Sequence, residues 1–424
     1  MTDHRDHGCV TIRSQANPGQ TRGPIYLDYN ATTPVDPRAV DALLPYLGEH
    51  FGNPSSGHAF GLEPHAAIDR ARGRVATLIG ARPDEIVFTG SGSESDALAI
   101  RGAVLTALTD RAERWASGPP HVVTQATEHP AVLAACHALT RVHGVEVTYL
   151  PVDADGLVSP DEFAGALTDR TVLATIMQAN NETGVVQPIA ELAAIAHAAG
   201  ALFHTDAAQT VGKIPVDVTC VGVDLLTLVG HKMYAPKGVA ALYVRSGLRI
   251  EPLIAGGGQE RGLRAGTENV ALITALGTAA DLAAADLAAG EPNRLAGLRD
   301  TLRERLEGAL PGRVHVNGHP SRRLPHTLNL RIDGVAGDTL LAAVPEIAAS
   351  TGSACHTGDP TPSPVLEAMA QPETLALGAL RLSLGRWTTD ADVRRAADLL
   401  VEAASGLGAA REARMEQRPS DLGR

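Results

Sequence analysis

Lys232 lies in the segment LVGHKMYAPKG, just after an apolar run and before a Gly/Pro-containing turn, where its amine could form a Schiff base with a carbonyl. Most lysines are solvated surface charges, so this reading depends on the company Lys232 keeps. Asp206 in HTDAAQ ends another apolar run. A carboxylate there could pair with a protonated pyridine nitrogen and strengthen an aromatic ring as an electron sink, or it could simply cap a helix. In TGSGSESD, Gly90, Ser91, Gly92 and Ser93 fall between a strand-like and a helical stretch. Their backbone N–H groups and hydroxyls could cradle a phosphate, although ordinary βα turns use the same residues. His129 in TEHP follows a further apolar run and could stack on a ring or move protons, since its unperturbed pKa lies near neutrality. Arg381 in LRLSLGRWTTD could clamp a carboxylate through its fork of donors, with an ordinary ion pair as the alternative.

The four cysteines, Cys9, Cys136, Cys220 and Cys355, form no Cys-x-x-Cys pair and no compact Cys/His cluster. A disulfide framework or a metal site is therefore not expected, and each thiol is judged singly. Cys355, in STGSACHTGDPTPSPVLEAM, lies in a Gly/Ser/Pro-rich stretch ahead of a short helix, a placement that leaves a thiol accessible. Cys136 and Cys220 sit in apolar settings and read as core residues, while Cys9 falls in the polar N-terminal stretch.

The elements that must position these residues have a regular pattern. From about 80 to 245, short β-branched runs alternate with turn residues and Ala/Leu-rich helical stretches: EIVFTG then SESDALAIRGAVLTAL, HVVTQA then PAVLAACHAL, TVLATIMQAN then PIAELAAIAHAAG leading into ALFHTD. Such alternation predicts an α/β fold, a mostly parallel sheet covered by helices, with ligands beyond the carboxyl ends of the strands. Five runs end in polar residues, at Ser91/Ser93, Glu128/His129, Asn180/Asn181, Asp206/Gln209 and His231/Lys232, which predicts one crevice. Helical stretches from about 271 to 309, strand-like RVHVNG and HTLNLRIDG, and a last helix over about 389–405 predict a smaller α+β domain. The polar stretches at both chain ends read as tails.

The 424 residues, 44% hydrophobic and 20% charged, suit a globular protein of two or three cooperating units. With 3% aromatic residues, packing must rely on Ala, Leu and Val. A formal net charge of -12 argues against general attraction to nucleic acid or anionic lipid. No apolar run is expected to reach the roughly 18 to 20 residues of a membrane helix, and MTDHRDHGCV lacks the apolar core of a secretory signal, so a cytoplasmic location is expected.

Taken together, YLDYNATTP, GNPSSGH, FTGSGSESDALAIRG, EHPAV, NNETG, HTDAAQTVGK, GHKMYAPKG, GGGQERGLRAGTEN, SACHTG and LRLSLGRWTT resemble the cysteine desulfurase family of class V aminotransferase-fold enzymes, in family order from about residue 25 to 405. The resemblance implies the pyridoxal-phosphate-dependent transferase fold of type I, with a mainly parallel seven-stranded sheet. It divides the chain into a tail (1–24), a large cofactor-binding domain (41–270), a small domain built from 25–40 and 271–408, and a second tail (409–424). It also implies a homodimer and pyridoxal 5'-phosphate as cofactor. Lys232 would be the Schiff-base lysine, Asp206 the partner of the pyridine nitrogen, Gln209 a donor to the ring hydroxyl and His129 the stacking residue. Gly92, Ser93 and His231 would hold the phosphate, joined by Thr267 from the other subunit. Asn181 and Arg381 would bind the substrate carboxylate, and Cys355 would take sulfur from L-cysteine as a persulfide, leaving L-alanine. A persulfide can pass to an acceptor protein, an iron-sulfur scaffold or a thiolation carrier.

One position departs from the family pattern. Many cysteine desulfurases have a serine three residues before the lysine, where this chain has Val229, which removes one phosphate contact. The same VGHK, together with CHTGDPTPSPVL, resembles the selenocysteine lyase branch, for which L-selenocysteine would be the substrate. A conventional aminotransferase would share Lys232, Asp206 and the phosphate turn but would have no use for Cys355.

Overall fold

The computed structural model describes residues 23–110, 118–352 and 361–416. Cys9, Cys355, the expected N-terminal tail up to residue 22 and the last eight residues lie outside the described residues. In chain order the strands are β1 (Ile25–Tyr26), β2 (Ile86–Thr89), β3 (His121–Gln125), β4 (Glu146–Leu150), β5 (Thr171–Thr175), β6 (Leu202–Asp206), β7 (Leu225–Val229), β8 (Ala240–Val244), β9 (Val314–Val316), β10 (Thr327–Ile332), β11 (Ile347–Ala348) and β12 (Ala379–Ser383).

Seven of them form one sheet in the order β2-β8-β7-β6-β5-β3-β4. The strands from β7 to β4 run parallel, and β8 is antiparallel to both β7 and β2. Successive residues alternate between two separate apolar clusters: Phe88, Val123, Ala174 and Leu226 lie in one, Val87, Val122, Leu173 and Leu225 in the other. Both faces are therefore dry, which is why these strands read as continuous apolar runs rather than as polar/apolar alternation. A third cluster gathers Leu328, Leu330 and Ile332 of β10 with Leu380 and Leu382 of β12, closed by Leu302, Leu306, Val393 and Leu400 from two helices. There β10 is the centre of an antiparallel sheet, β12-β10-β9, and β1 pairs in parallel with β11.

Three expectations need correction. Helix Val270–Ala288 is long and apolar enough by composition to cross a membrane, contrary to the expected absence of such a run. Its Val270, Ile273, Leu276 and Ala280 are packed in the large cluster against Ala67, Ala71 and Val75 of helix Ala59–Leu78, so its apolarity is that of a core helix. Cys136 is buried as expected, but Cys220 is exposed: Asp217 caps a single helical turn, Val218–Val221, which buries Val218 and turns Cys220 outward. The last helix, expected to end near 405, runs over Asp390–Glu416, because the Ala-, Arg- and Glu-rich continuation keeps strong helix formers through two interior glycines.

Candidate active site

The parallel strands deliver polar side chains to one end of the seven-stranded sheet. There Gly92, Ser93, His129, Asn181, Asp206, Gln209, His231, Lys232 and Arg381 line a single cavity of about 430 Å³. Nine of the eleven residues singled out for the site are thus brought together. Thr267 does not line the cavity and is exposed elsewhere on the chain, and Cys355 lies outside the described residues. Of the polar strand ends, Glu128 and Asn180 turn inward instead. Glu128 Oε1 accepts from Met177 N–H at 2.6 Å and from Gln125 Nε2 at 3.0 Å, while Asn180 Oδ1 accepts from the amides of Glu182 and Thr183, each at 2.9 Å.

Lys232 follows β7 after one turn, Gly230–Lys232. Gly230 is required at the bend because a Cβ there would lie 2.8 Å from the Val239 carbonyl oxygen. Beyond the lysine, Tyr234 adopts a left-handed backbone with φ of 62°. That strain is held by its N–H donating to Thr33 Oγ1 at 2.8 Å and by the Arg386 guanidinium 4.1 Å from the ring centroid. The Lys232 amine donates to the carbonyls of Asn30 and of Ala31, the latter at 2.8 Å. Burial, and then the nearby Arg381 charge, push its pKa down to about 8, against the pull of Asp206 and Asp28. An amine in that range is neutral often enough to attack a carbonyl near neutral pH.

Asp206 ends β6 and accepts from Ala208 N–H at 2.9 Å. Burial raises its pKa, whereas the Ala208 hydrogen bond, His129 and Lys232 favour its charged form. His129 sits at the N-terminus of helix Pro130–His143, with Pro130 in the first turn and Gly144 closing the helix at φ of 65°. Its Nδ1 accepts from Ala131 N–H at 3.2 Å, which leaves the hydrogen on Nε2. Burial lowers its pKa, so the ring is neutral at neutral pH where it lines the cavity. His231 is likewise pushed down, to about 4, by burial and then by Lys232, and its Nδ1 pairs with Thr32 Oγ1 at 3.1 Å.

Arg381, on β12, donates from Nη2 to Asp28 Oδ1 at 2.8 Å and from Nη1 to the Asn181 carbonyl at 3.1 Å, and its buried Nε–H has no partner among the described residues. The segment Leu27–Thr33 ties these groups together. Asn30 donates from Nδ2 to the Asn181 carbonyl at 3.1 Å and to Thr327 Oγ1 at 3.0 Å, and its own carbonyl accepts from Gln209 Nε2 at 3.0 Å as well as from Lys232.

The residues present fit a phosphorylated aromatic aldehyde. Gly92 and Ser93 occupy the first turn of helix Gly92–Asp110, where backbone N–H groups have no partner inside the helix. A carboxylate, an amine and a neutral imidazole share the cavity with them, and the buried Gln209 Oε1 and Asp96 Oδ1 lack partners among the described residues. Asn30, Asp28 and Asp96 were given no role from the sequence. Asn30 and Asp28 fall within YLDYNATTP and Asp96 within SESD, so the motifs were visible, but their contacts depend on residues far away in the chain.

Comparison with known proteins gives a consistent picture. The family Aminotransferase class-V matches residues 25–396. A cysteine desulfurase of Gluconacetobacter diazotrophicus is 50% identical over 379 residues, covering 89% of this chain and 92% of that protein. A cysteine desulfurase IscS of Anaeromyxobacter sp. is 48% identical over 383 residues, again covering 89% and 92%. Among solved structures, a NifS-like protein superposes with a TM-score of 0.81 at 33% identity, over 90% of this chain and 100% of that one. SspA in complex with cysteine superposes with a TM-score of 0.74 at 36% identity, over 86% and 99%.

Proposed function

The chain belongs to the class-V aminotransferases and, within them, to the cysteine desulfurases, and on that premise we propose that its cavity binds pyridoxal 5'-phosphate through Lys232 and moves sulfur from L-cysteine to Cys355. The family is pyridoxal-phosphate dependent. The observation that carries the reading is the meeting of Lys232, Asp206 and Arg381, from β7, β6 and β12 surroundings, in one cavity.

In this reading Gly92, Ser93 and His231 hold the phosphate, Asp206 the ring nitrogen, Gln209 the ring hydroxyl, and His129 lies against the ring. Thr267 would complete the phosphate site of a partner subunit in a homodimer. The bound cofactor supplies an electron sink for the carbon atoms of the substrate. Arg381 and Asn181 would orient the substrate carboxylate, and the Lys232 amine would move the α-proton. The Cys355 thiolate attacks the substrate Sγ; the Cβ–Sγ bond breaks, its electron pair remains with the carbon, which takes up a proton, and the sulfur stays on Cys355 as a persulfide. Alanine leaves, and the terminal sulfur passes to an acceptor protein such as an iron-sulfur scaffold or a thiolation carrier. The reading places the reaction in the cytoplasm and keeps the division into a large domain (41–270) and a small one (25–40 and 271–408).

The test is alanine release from L-cysteine by Cys355→Ala and Lys232→Ala proteins, with the persulfide located by mass spectrometry. Both variants should be inactive, and undiminished alanine release by Cys355→Ala would overturn the nucleophile assignment. A second reading, selenocysteine lyase, is favoured by Val229, which lines the cavity with methyl groups in place of a hydroxyl. It predicts that Cys355→Ala still releases alanine from L-selenocysteine.

A further inference from the structure

Residues 353–360, Cys355 among them, lie outside the described residues, but the chain on either side of them is described. On the incoming side Ser350 forms an antiparallel backbone bridge with Arg381, at N–H···O distances of 2.6 and 3.3 Å, and Gly352 N–H donates to Ser350 Oγ at 3.2 Å. Gly352 has φ of 75°, and a Cβ on it would lie 2.5 Å from Glu182 Oε2. On the outgoing side the fully buried Ser363 hydroxyl donates to that same Oε2. Ser363 Oγ also accepts from the amides of Val365 and Leu366 at 3.2 and 3.3 Å, starting helix Pro364–Ala368. The Glu182 carboxylate is thus hydrogen-bonded to the outgoing stem at Ser363 and packed closely against the incoming stem at Gly352, where it leaves no room for a side chain.

Glu182 is itself held from the substrate side. It follows Asn181, whose carbonyl accepts from Arg381, and its own carbonyl accepts from Asn329 Nδ2 at 3.1 Å. It is 9% exposed, and burial raises its carboxyl pKa against the Ser363 hydrogen bond and the Arg381 charge. Capping a five-residue helix needs only the Ser363 hydroxyl. A buried carboxylate behind it is costly unless its position matters.

We propose that Glu182 is a positioning residue for sulfur transfer, fixing both stems of the Cys355-bearing segment to the Asn181–Arg381 frame that holds the substrate carboxylate. The proposal rests on the reading of Cys355 as nucleophile. Thiol and substrate sulfur must meet within bonding reach, and small misplacements of reacting groups cost up to about 100-fold in rate. Glu182 joins the clamp through its backbone beside Asn181 and the stems through its carboxylate, which limits that freedom without touching the substrate.

The experiment uses the full-length holoenzyme with L-cysteine and the variants Glu182→Ala, Glu182→Gln and Ser363→Ala. The Ala variants should lose about 10- to 100-fold in kcat and in single-turnover persulfide on Cys355, with KM changed less than about twofold. Glu182→Gln, which keeps an acceptor for Ser363, should recover most of the loss, and the double Ala variant should be no worse than either single one. Wild-type kcat in Glu182→Ala, a rise in KM at constant kcat, or a Gln variant as impaired as Ala would overturn the proposal. If Glu182→Ala does not fold, Ser363→Ala decides by the same criteria. An active Cys355→Ala protein would bring down the nucleophile reading itself, whereas an inactive Cys355→Ala beside a normal Glu182→Ala would bring down only the anchor.

Discussion

Val229 Cγ2 fills the space in which a side chain on Gly92 would begin: a Cβ at position 92 would lie 2.6 Å from that methyl. The first turn of helix Gly92–Asp110 is thereby pressed against the end of β7, three residues before Lys232. The residue that stands where many cysteine desulfurases have a serine is thus also the one that crowds the space for a side chain at position 92.

Gly92→Ala should weaken cofactor binding by about tenfold or more, because either Val229 or the helix must shift. Val229→Ala in the same chain should restore most of the loss. Val229→Ser alone should tighten binding several-fold, the worth of about 1 kcal/mol for one added hydrogen bond. The dissociation constant of pyridoxal 5'-phosphate from the apoprotein, followed by fluorescence, checks all three. Independent effects of Gly92→Ala and Val229→Ala would contradict the contact.

Lys232 should govern how fast the apoprotein takes up cofactor. Only the neutral amine attacks an aldehyde, and burial brings its pKa down to about 8. The rate of Schiff-base formation, read by visible absorbance, should climb about tenfold per pH unit up to about pH 8 and level off above it. A rise continuing toward the ordinary lysine range would refute the depressed value. Lys232→Ala should develop no such absorbance at any pH.

Asp96 and Asp206 face one cavity, and the charged form is favoured more strongly at Asp206, by the Ala208 amide, His129 and Lys232, than at Asp96. Asp206 receives the Ala208 amide, while Asp96 Oδ1 has no hydrogen-bond partner among the described residues and lies 3.8 Å from His204 Nε2. Burial, reinforced by Asp206 and opposed by a Thr227 hydrogen bond, pushes Asp96 well above the usual carboxylate range, and burial brings His204 down to about 3, so the imidazole is neutral at neutral pH. Asp96→Asn, an isostere of the neutral acid, should keep kcat within about threefold, whereas Asp206→Asn should lower it by about 100-fold or more. Equal losses in steady-state assays would show that Asp96 works as a charge.

Lys213 is a buried amine with no hydrogen-bond partner among the described residues, facing a small cavity it shares with His326, Tyr234 and Asp286. Burial, then Lys232 and Arg381, depress its pKa to about 7 from 10.5. Between those values the unfolded chain binds more protons than the native one, so this group's contribution to stability rises with pH across that window. Below about pH 7 the native protein carries the full cost of a buried charge. Lys213→Met should therefore raise Tm most at about pH 6 and progressively less toward about pH 10, in thermal unfolding of the apoprotein. A gain independent of pH would mean that packing, not charge, is responsible.

Much of the site was legible in the chain because the seven-stranded sheet is buried on both faces. Its strands must be unbroken apolar runs, so the first polar residue after each run marks a strand end, and parallel ends lie together. By that logic His129, Asp206 and Lys232, each just after an apolar run, fall at one end of the sheet. The exposure of Cys220 and the inward turn of Glu128 escaped it, since apolar neighbours in sequence do not say which face a single helical turn presents or where a carboxylate finds donors.

By itself, then, the sequence determined the fold class through its local period, the family through the likeness of its motifs, and which polar residues end the strands around the cavity. Tertiary structure alone decided what holds the chemistry in place. The Asn30 carbonyl that receives Lys232 is separated from it by 202 positions, and Ser363 from Glu182 by 181. Nothing periodic links such pairs. They meet because the order of strands in the sheet and the return of the chain ends to β10 and β12 bring them within hydrogen-bonding distance, and distances of that kind are set by the assembled core, not by neighbours in sequence.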